Sequence, residues 1–348
     1  MKCNYSSKQN TVTTALRQSI YCGTYISGGR LPVQTELMHQ FKVSSATIQK
    51  ALGQLEREGF IEKRQKSGTH VVEQPPHVRN IGMVFPFDPM SGAYYSKFYR
   101  TISQAADLYQ RKNDRPILQF HGVNGREYVP ERQRLMDLLL THRLSGIVFV
   151  GPGFEFEGTA ILEDPGVSRV AVGSMPKYPG IPVVSFDALS FLEKAFDHLL
   201  DQGRDRIAIL SPYLDKTGEA ELSRVISARN LYCPTHWRLQ LCQAEPRCAQ
   251  SCSRLLMADP ANRPNGLIIA DDNFTEHAVA GLFEAGVKVP DDVEVVEHCN
   301  FPCPAGMISS MRLGFHADQL VEKCIALIDK QRSGEEVEPL TVLPAMFN

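Results

Sequence analysis

A chain of 348 residues, 43% hydrophobic and 22% charged with a formal net charge of −2, holds enough material for two or three domains with buried cores. It has no apolar run approaching the ~20 residues that span a bilayer, and its opening MKCNYSSKQNTVTT lacks the apolar core of an export signal, so no membrane partner is expected and the cytoplasm is the expected location. The charge is unevenly spread: residues 1–74 carry ten basic and five acidic side chains, giving +5 against −7 for the remainder, the pattern of a polyanion-binding head on a body with another task.

In chain order, Val12, Leu16 and Ile20 stand at helical spacing in VTTALRQSIY. SGGRLP at 27–32 is a turn, since paired glycines and a proline cannot continue the helix. Leu37 and Phe41 mark a second short helix. Ser44 is placed to cap a third, which buries Ile48, Ala51, Leu52 and Leu55 and turns Ser45, Thr47, Gln49, Lys50 and Gln54 the other way until Gly59 stops it. FIEKRQ and THVVE, joined by Lys66-Ser67-Gly68, read as a β-hairpin. Three helices and a hairpin make a winged helix-turn-helix, whose third helix enters the DNA major groove with small polar residues at its leading end.

The string GGRLPVQTELMHQFKVSSATIQKALGQLEREGFIEKRQKSGTHVV resembles the winged helix of the GntR family of bacterial regulators, through Leu31-Pro32, Glu36-Leu37, Val43-Ser44, Thr47-Ile48, Ala51-Leu52, Leu55-Glu56, Glu58-Gly59 and Gly68-Thr69. The resemblance implies a dimer on a pseudo-palindromic double-stranded operator. It also implies DNA-binding roles for Thr35, Lys42, Ser44, Ser45, Thr47, Gln49, Lys50, Arg64, Lys66 and Gly68. The family usually has arginine where this chain has Thr35, Ser45 and Gln49. Arginine reads guanine and glutamine reads adenine, so a different operator is expected. The lysines and Arg57 and Arg64 are left for phosphates, which position without specifying.

Gln74-Pro75-Pro76-His77-Val78-Arg79 reads as a stiff linker (74–79) between the head (1–73) and a body (80–348), its prolines unable to join a helix or central strand. In the body, apolar strands at 81–87, 116–122, 146–151, 169–173, 183–187, 206–211, 238–242, 266–270 and 293–297 alternate with amphipathic helices. Phe98, Ile102, Ala105 and Tyr109 mark the first of these, and Ser190-Phe191-Leu192-Glu193 reads as a capping box. That alternation means α/β architecture with doubly wound parallel sheets. GPGFEFEG departs from the dinucleotide fingerprint, and neither a phosphate-binding loop nor a Gly-x-Ser-x-Gly elbow occurs, so no catalytic residues are assigned and no enzyme is expected. Nine cysteines form no CxxC pair, so reduced thiols, no metal site and no cofactor are expected.

SGIVFVG, VVSFDALSFLEKAFDHLLDQGRDRIAIL and GLIIADDNFTEHAVAGLFEAGVKVPDDVEVV are similar to the effector domain of the LacI family, related to periplasmic sugar-binding proteins. The resemblance implies two lobes, about 80–184 with 312–335 and about 185–304 with 340–348, crossed near 184–187, 304–312 and 335–342. A small molecule, a sugar or sugar derivative, would lie in the cleft. Winged head and such a body together resemble the arabinose-repressor type of regulator, a ligand-controlled repressor. The alternative is a DNA-binding regulator whose body serves dimerisation or protein interaction without a working pocket. Effector-site candidates are Asp88, Tyr94, Tyr95, Asp187, Arg224, Asp272 and Asn300; a carboxylate such as Asp272 accepts from sugar hydroxyls. The family's pocket arginine has Gly218 in its place, with Arg224 a helical turn or more away, and Glu297-His298-Cys299-Asn300 replaces the usual Gly-Phe-Asp-Asp/Asn.

Overall fold

Helix α1 (Lys8–Tyr21) forms on the spacing of Val12, Leu16 and Ile20, all three buried. The computed structural model describes residues 8–88, 96–124, 129–151, 156–164, 166–173, 178–304, 306 and 308–348. Helix α2 (Gln34–Phe41) ends where Lys42 turns left-handed at φ 53°. Helix α3 (Ser45–Arg57) opens on Ser44, whose hydroxyl accepts from the Thr47 amide at 3.3 Å. Strands β1 (Ile61–Arg64) and β2 (Gly68–Val71) pair antiparallel, Ile61 opposite Val71, and Arg30 bridges to His70 beyond them. Leu16, Leu37, Ile48, Leu55 and Phe60 have no exposed surface and form one core with Leu31, Ile61 and Val71. Each such side chain contributes about 1.5–3 kcal/mol.

Pro76 does join a helix, against the sequence reading: α4 (Pro76–Arg79) is a single turn with Pro76 as its first residue and Pro75 extended at its N-cap. That position has no use for the amide hydrogen that proline lacks, and its fixed φ suits the helix. The turn carries His77 between Phe60 (ring centroids 6.0 Å) and Tyr21 (5.4 Å).

The body follows with β3 (Ile81–Val84), α5 (Ser96–Asn113), β4 (Ile117–Phe120), α6 (Pro130–Leu140), β5 (Gly146–Val150), α7 (Ala160–Glu163), β6 (Ser168–Val172) and β7 (Val183–Asp187). Then come α8 (Ala188–Asp201), β8 (Ile207–Pro212), α9 (Lys216–Ala228), β9 (Arg238–Leu241), α10 (Cys248–Leu256), β10 (Gly266–Ile269) and α11 (Asp272–Glu284). The chain closes with β11 (Glu294–Phe301), β12 (Met311–His316), α12 (Ala317–Ser333), β13 (Leu340–Pro344) and β14 (Met346–Phe347). Two six-stranded sheets result, ordered β13-β7-β6-β5-β3-β4 and β14-β12-β11-β10-β8-β9, and only the β12–β14 pair in them is antiparallel among the registers observed. The α/β alternation thus yields parallel sheets, as read. The cap of α8 differs from the reading. Asp187 accepts from the Ser190 amide at 2.9 Å, so the helix begins ahead of the expected Ser190–Glu193 box. A carboxylate outcompetes a hydroxyl for the free amides of a first turn.

The chain divides into two compact units: residues 1–86, 110–170 and 325–337, and residues 87–109, 171–324 and 338–348. Within the first, Tyr21 stacks on His142 at 4.1 Å, and His142 Nε2 lies 2.9 Å from Gln18 Oε1. Burial holds the His77 imidazole down to about 4 from its ordinary 6.5, with Arg332 and His142 adding like charge. A base depressed in the fold stabilises it fully above pH 6.5 and progressively less as pH falls towards about 4. The melting temperature should therefore drop over that interval, and His77→Phe, which cannot titrate, should drop less. Parallel melting curves of the two proteins at pH 7, 6, 5 and 4 check this.

Among the described residues no helix is long and apolar enough to cross a membrane, and no cluster of three or more His, Cys, Asp or Glu could hold a metal ion.

Candidate functional site

The head turns a polar surface outward from α3. Gln49 and Lys50 are exposed and have no partner among the described residues. The Ser44 and Thr47 hydroxyls lie 3.0 Å apart, and Ser45 Oγ accepts from the Gln34 side chain, so these three are held in place by neighbours. Gln54, expected on the same outward face, points to α1 instead: it donates to Glu58 at 2.9 Å and accepts from Gln9 at 3.2 Å. Thr35 is exposed in the first turn of α2, and Lys42 is exposed at its end.

The hairpin forms the wing. Lys66 is exposed at its tip in the left-handed region (φ 57°). Gly68 (φ 94°) leaves room for Arg30, whose Nε would stand 3.0 Å from any Cβ there. Arg30, which the sequence reading missed, borders a groove of about 420 Å³ together with Gln49, Lys63 and Thr69. Arg64 pairs with Glu62 at 2.7 Å and Lys63 with Glu56 at 2.7 Å. Such surface pairs are worth little, so both cations can be handed to phosphates at small cost.

A second site lies in the other unit, a pocket of about 370 Å³. It sits at the carboxyl end of β11, where parallel sheets usually take their ligands. Helix α5 presents Lys97, Arg100, Thr101 and Gln104, and α11 presents Asp272, Thr275, Glu276 and Val279. Both sets follow i, i+3, i+4, i+7, one face of each helix. Asp271 caps α11 by accepting from the Asn273 amide at 2.8 Å, which frees Asp272 for the pocket. Asp272 Oδ2 accepts from Asn300 Nδ2 at 2.8 Å, so the structure brings these two candidates together. Desolvation pushes the Asp272 carboxyl up, against the pull of His298, Asn300 and Lys97. Glu297 is buried and pushed up by desolvation too, while its carboxylate accepts from Ser310 at 2.9 Å. Its register neighbour on β12 is Arg312.

Arg224, Asp187 and Asp88 are not among the described residues that line this pocket. Arg224 is exposed on α9 and lies 3.9 Å from Glu193, Asp187 serves the cap of α8, and Asp88 is exposed. Tyr94 and Tyr95 fall outside the described residues. Lys97, Arg100, Glu297 and Arg312 were missed as candidates; the signal available was the polar stripe on α5 opposite its apolar one.

Comparison with known proteins agrees with both halves. Residues 8–71 match the gntR family of bacterial regulatory proteins, and residues 196–346 match the periplasmic binding protein-like domain. The chain is 21% identical to the arabinose metabolism transcriptional repressor of Halalkalibacterium halodurans over 98% of its own length and 95% of the relative's. A LacI-family regulatory protein from Chloroflexus aggregans superposes with a TM-score of 0.58 at 18% identity, over 77% of this chain and 96% of the other. A LacI-family regulator from Lactobacillus casei, crystallised with bound sucrose, gives 0.55 at 17% over 77% and 98%. At these identities the structural likeness is one of fold.

Proposed function

We infer, from the union of a GntR-family helix-turn-helix domain and a periplasmic-binding-protein-like domain in one chain, that this protein is a transcriptional repressor whose hold on operator DNA is set by a sugar or sugar derivative. The observation that carries the reading is the head: a winged helix whose third helix shows Gln49 and Lys50 to solvent, unpartnered among the described residues, beside a basic wing. The relatives' names support repression, and the sucrose-bound neighbour supports a sugar. The pocket around Asp272 and Asn300 is the proposed effector site. The protein works in the cytoplasm as a homodimer on a two-fold-related site, and does no catalysis. The ligand acts by binding two conformations of the body unequally, since a ligand that binds both equally shifts nothing.

Selection from random duplexes with the whole protein tests the first half. A site with two-fold symmetry should emerge, and affinity should fall steeply with salt as phosphate counterions are released. Gln49→Ala should relax preference at one position per half-site, costing about 1–3 kcal/mol there. Lys50→Ala and Arg30→Ala should weaken all sequences alike and flatten the salt slope. Uniform loss with Gln49→Ala would mean another face reads the bases.

A further inference from the structure

The charges of the pocket narrow the class of ligand, an inference that rests on reading this pocket as the effector site. Three cations (Lys97, Arg100, Arg312) and three carboxylates (Asp272, Glu276, Glu297) line it, so by count they cancel. Their circumstances do not. Lys97 is already matched, 3.1 Å from Glu276 and donating to the Asp272 carbonyl at 2.9 Å. Asp272 and Glu297 are both desolvated, which works against their charged forms. Guanidinium groups keep their charge at any working pH.

Arg100 is exposed on α5 with no acceptor among the described residues. Arg312 gives one nitrogen to the Pro304 carbonyl at 2.9 Å and more distantly to Cys303 Sγ at 3.6 Å, and stands beside Glu297 in the strand register. The pocket therefore offers one guanidinium, Arg100, that no described acceptor engages, and a second, Arg312, held at its rim by a single backbone carbonyl.

We propose that the pocket takes a sugar bearing an acidic group, a carboxylate or a phosphate, held by Arg100 and Arg312 while its hydroxyls meet Asp272 and Asn300. Arginine forks pair with either anion in a bidentate manner. A neutral sugar would use the carboxylate and amide but leave Arg100 without an acceptor among the described residues.

Titration calorimetry on the whole protein decides this, using matched sets of a neutral aldose, its aldonate and its terminal phosphate, for arabinose and for glucose. An acidic member should bind at least about tenfold more tightly than its neutral parent, and Arg312→Gln and Arg100→Gln should each weaken it about tenfold. Arg100 is exposed, so its variant keeps the fold even if the Arg312 variant does not. The preferred acidic member identifies carboxylate or phosphate. If a neutral parent binds as well or better and the glutamine variants leave affinity unchanged, the acidic-ligand inference is overturned and the ligand-sensing reading stands. If no member binds while the protein still selects an operator, both fall, and the body is an interaction module.

Discussion

Gly281→Ala is expected to cost the body about 3 kcal/mol or more, enough to lower its unfolding midpoint visibly. Gly281 lies where α11 crosses α10, and an added Cβ would overlap both the Ser253 hydroxyl and the Gln250 carbonyl. The hydroxyl could turn away, but the carbonyl is helix backbone and cannot. To relieve the overlap the helices must part. That strips the Ser253 Oγ bond to the Ala278 carbonyl (2.8 Å) and loosens Ala249 and Met257 against Ala278 and Leu282. An opposing effect has a known size: alanine is favoured over glycine inside a helix by about 1 kcal/mol. The overlap wins by that comparison. Urea unfolding of wild type, Gly281→Ala and Gly281→Ala/Ser253→Ala checks the account. The double variant should recover only part of the loss, because the carbonyl remains. An increase in stability by the propensity amount would mean the helices do not touch at this point.

What could be read from the sequence was what local pattern dictates. The head was legible because each of its elements is announced within a few residues, by Leu16 and Ile20, by Ser44 as a cap, by Gly59 as a stop. The body's sheets were legible because buried parallel strands are continuous apolar runs. What failed depended on distance. Gln54 looks outward by helical count, and only the packing of α1 against α3 turns it in. Arg30 reaches the wing through a bridge to His70, forty residues on. Lys97, Arg100, Thr101 and Gln104 have the pattern of any solvated helix face, and nothing local says that a pocket covers them. Asp272 and Asn300 were proposed through resemblance and stand hydrogen-bonded in one pocket, whereas Arg224, already off the family's pattern in sequence, lies 3.9 Å from Glu193 on an exposed face.

Glu58→Ala should abolish DNA binding without touching any surface that meets DNA. Arg17 and Glu58 form an ion pair at 2.7 Å inside the head, with side chains only 5% and 12% exposed. Arg17 donates through Nε and Nη2 to one carboxylate oxygen, and Gln54 donates to the other, so the pair ties α1 to the end of α3. The guanidinium also lies 5.9 Å from the Phe60 ring centroid. Removing the carboxylate strands a buried cation, a loss of about 3–5 kcal/mol. A domain of some sixty residues has little more than that in total, about 3–5 kcal/mol from its core. The head, which shares a compact unit with residues 110–170 and 325–337, should therefore come apart ahead of the unit that holds the pocket, which would appear as a new low-temperature step in calorimetry and as loss of operator binding with ligand binding intact. The cost belongs to the stranded charge, and the pair itself adds little. Arg17→Met/Glu58→Leu, which removes both charges and fills the space, should accordingly regain most of the head's stability and its DNA binding. A double variant as damaged as Glu58→Ala would instead mean that the tie to Gln54, and not the charge balance, holds α3 in place for reading DNA.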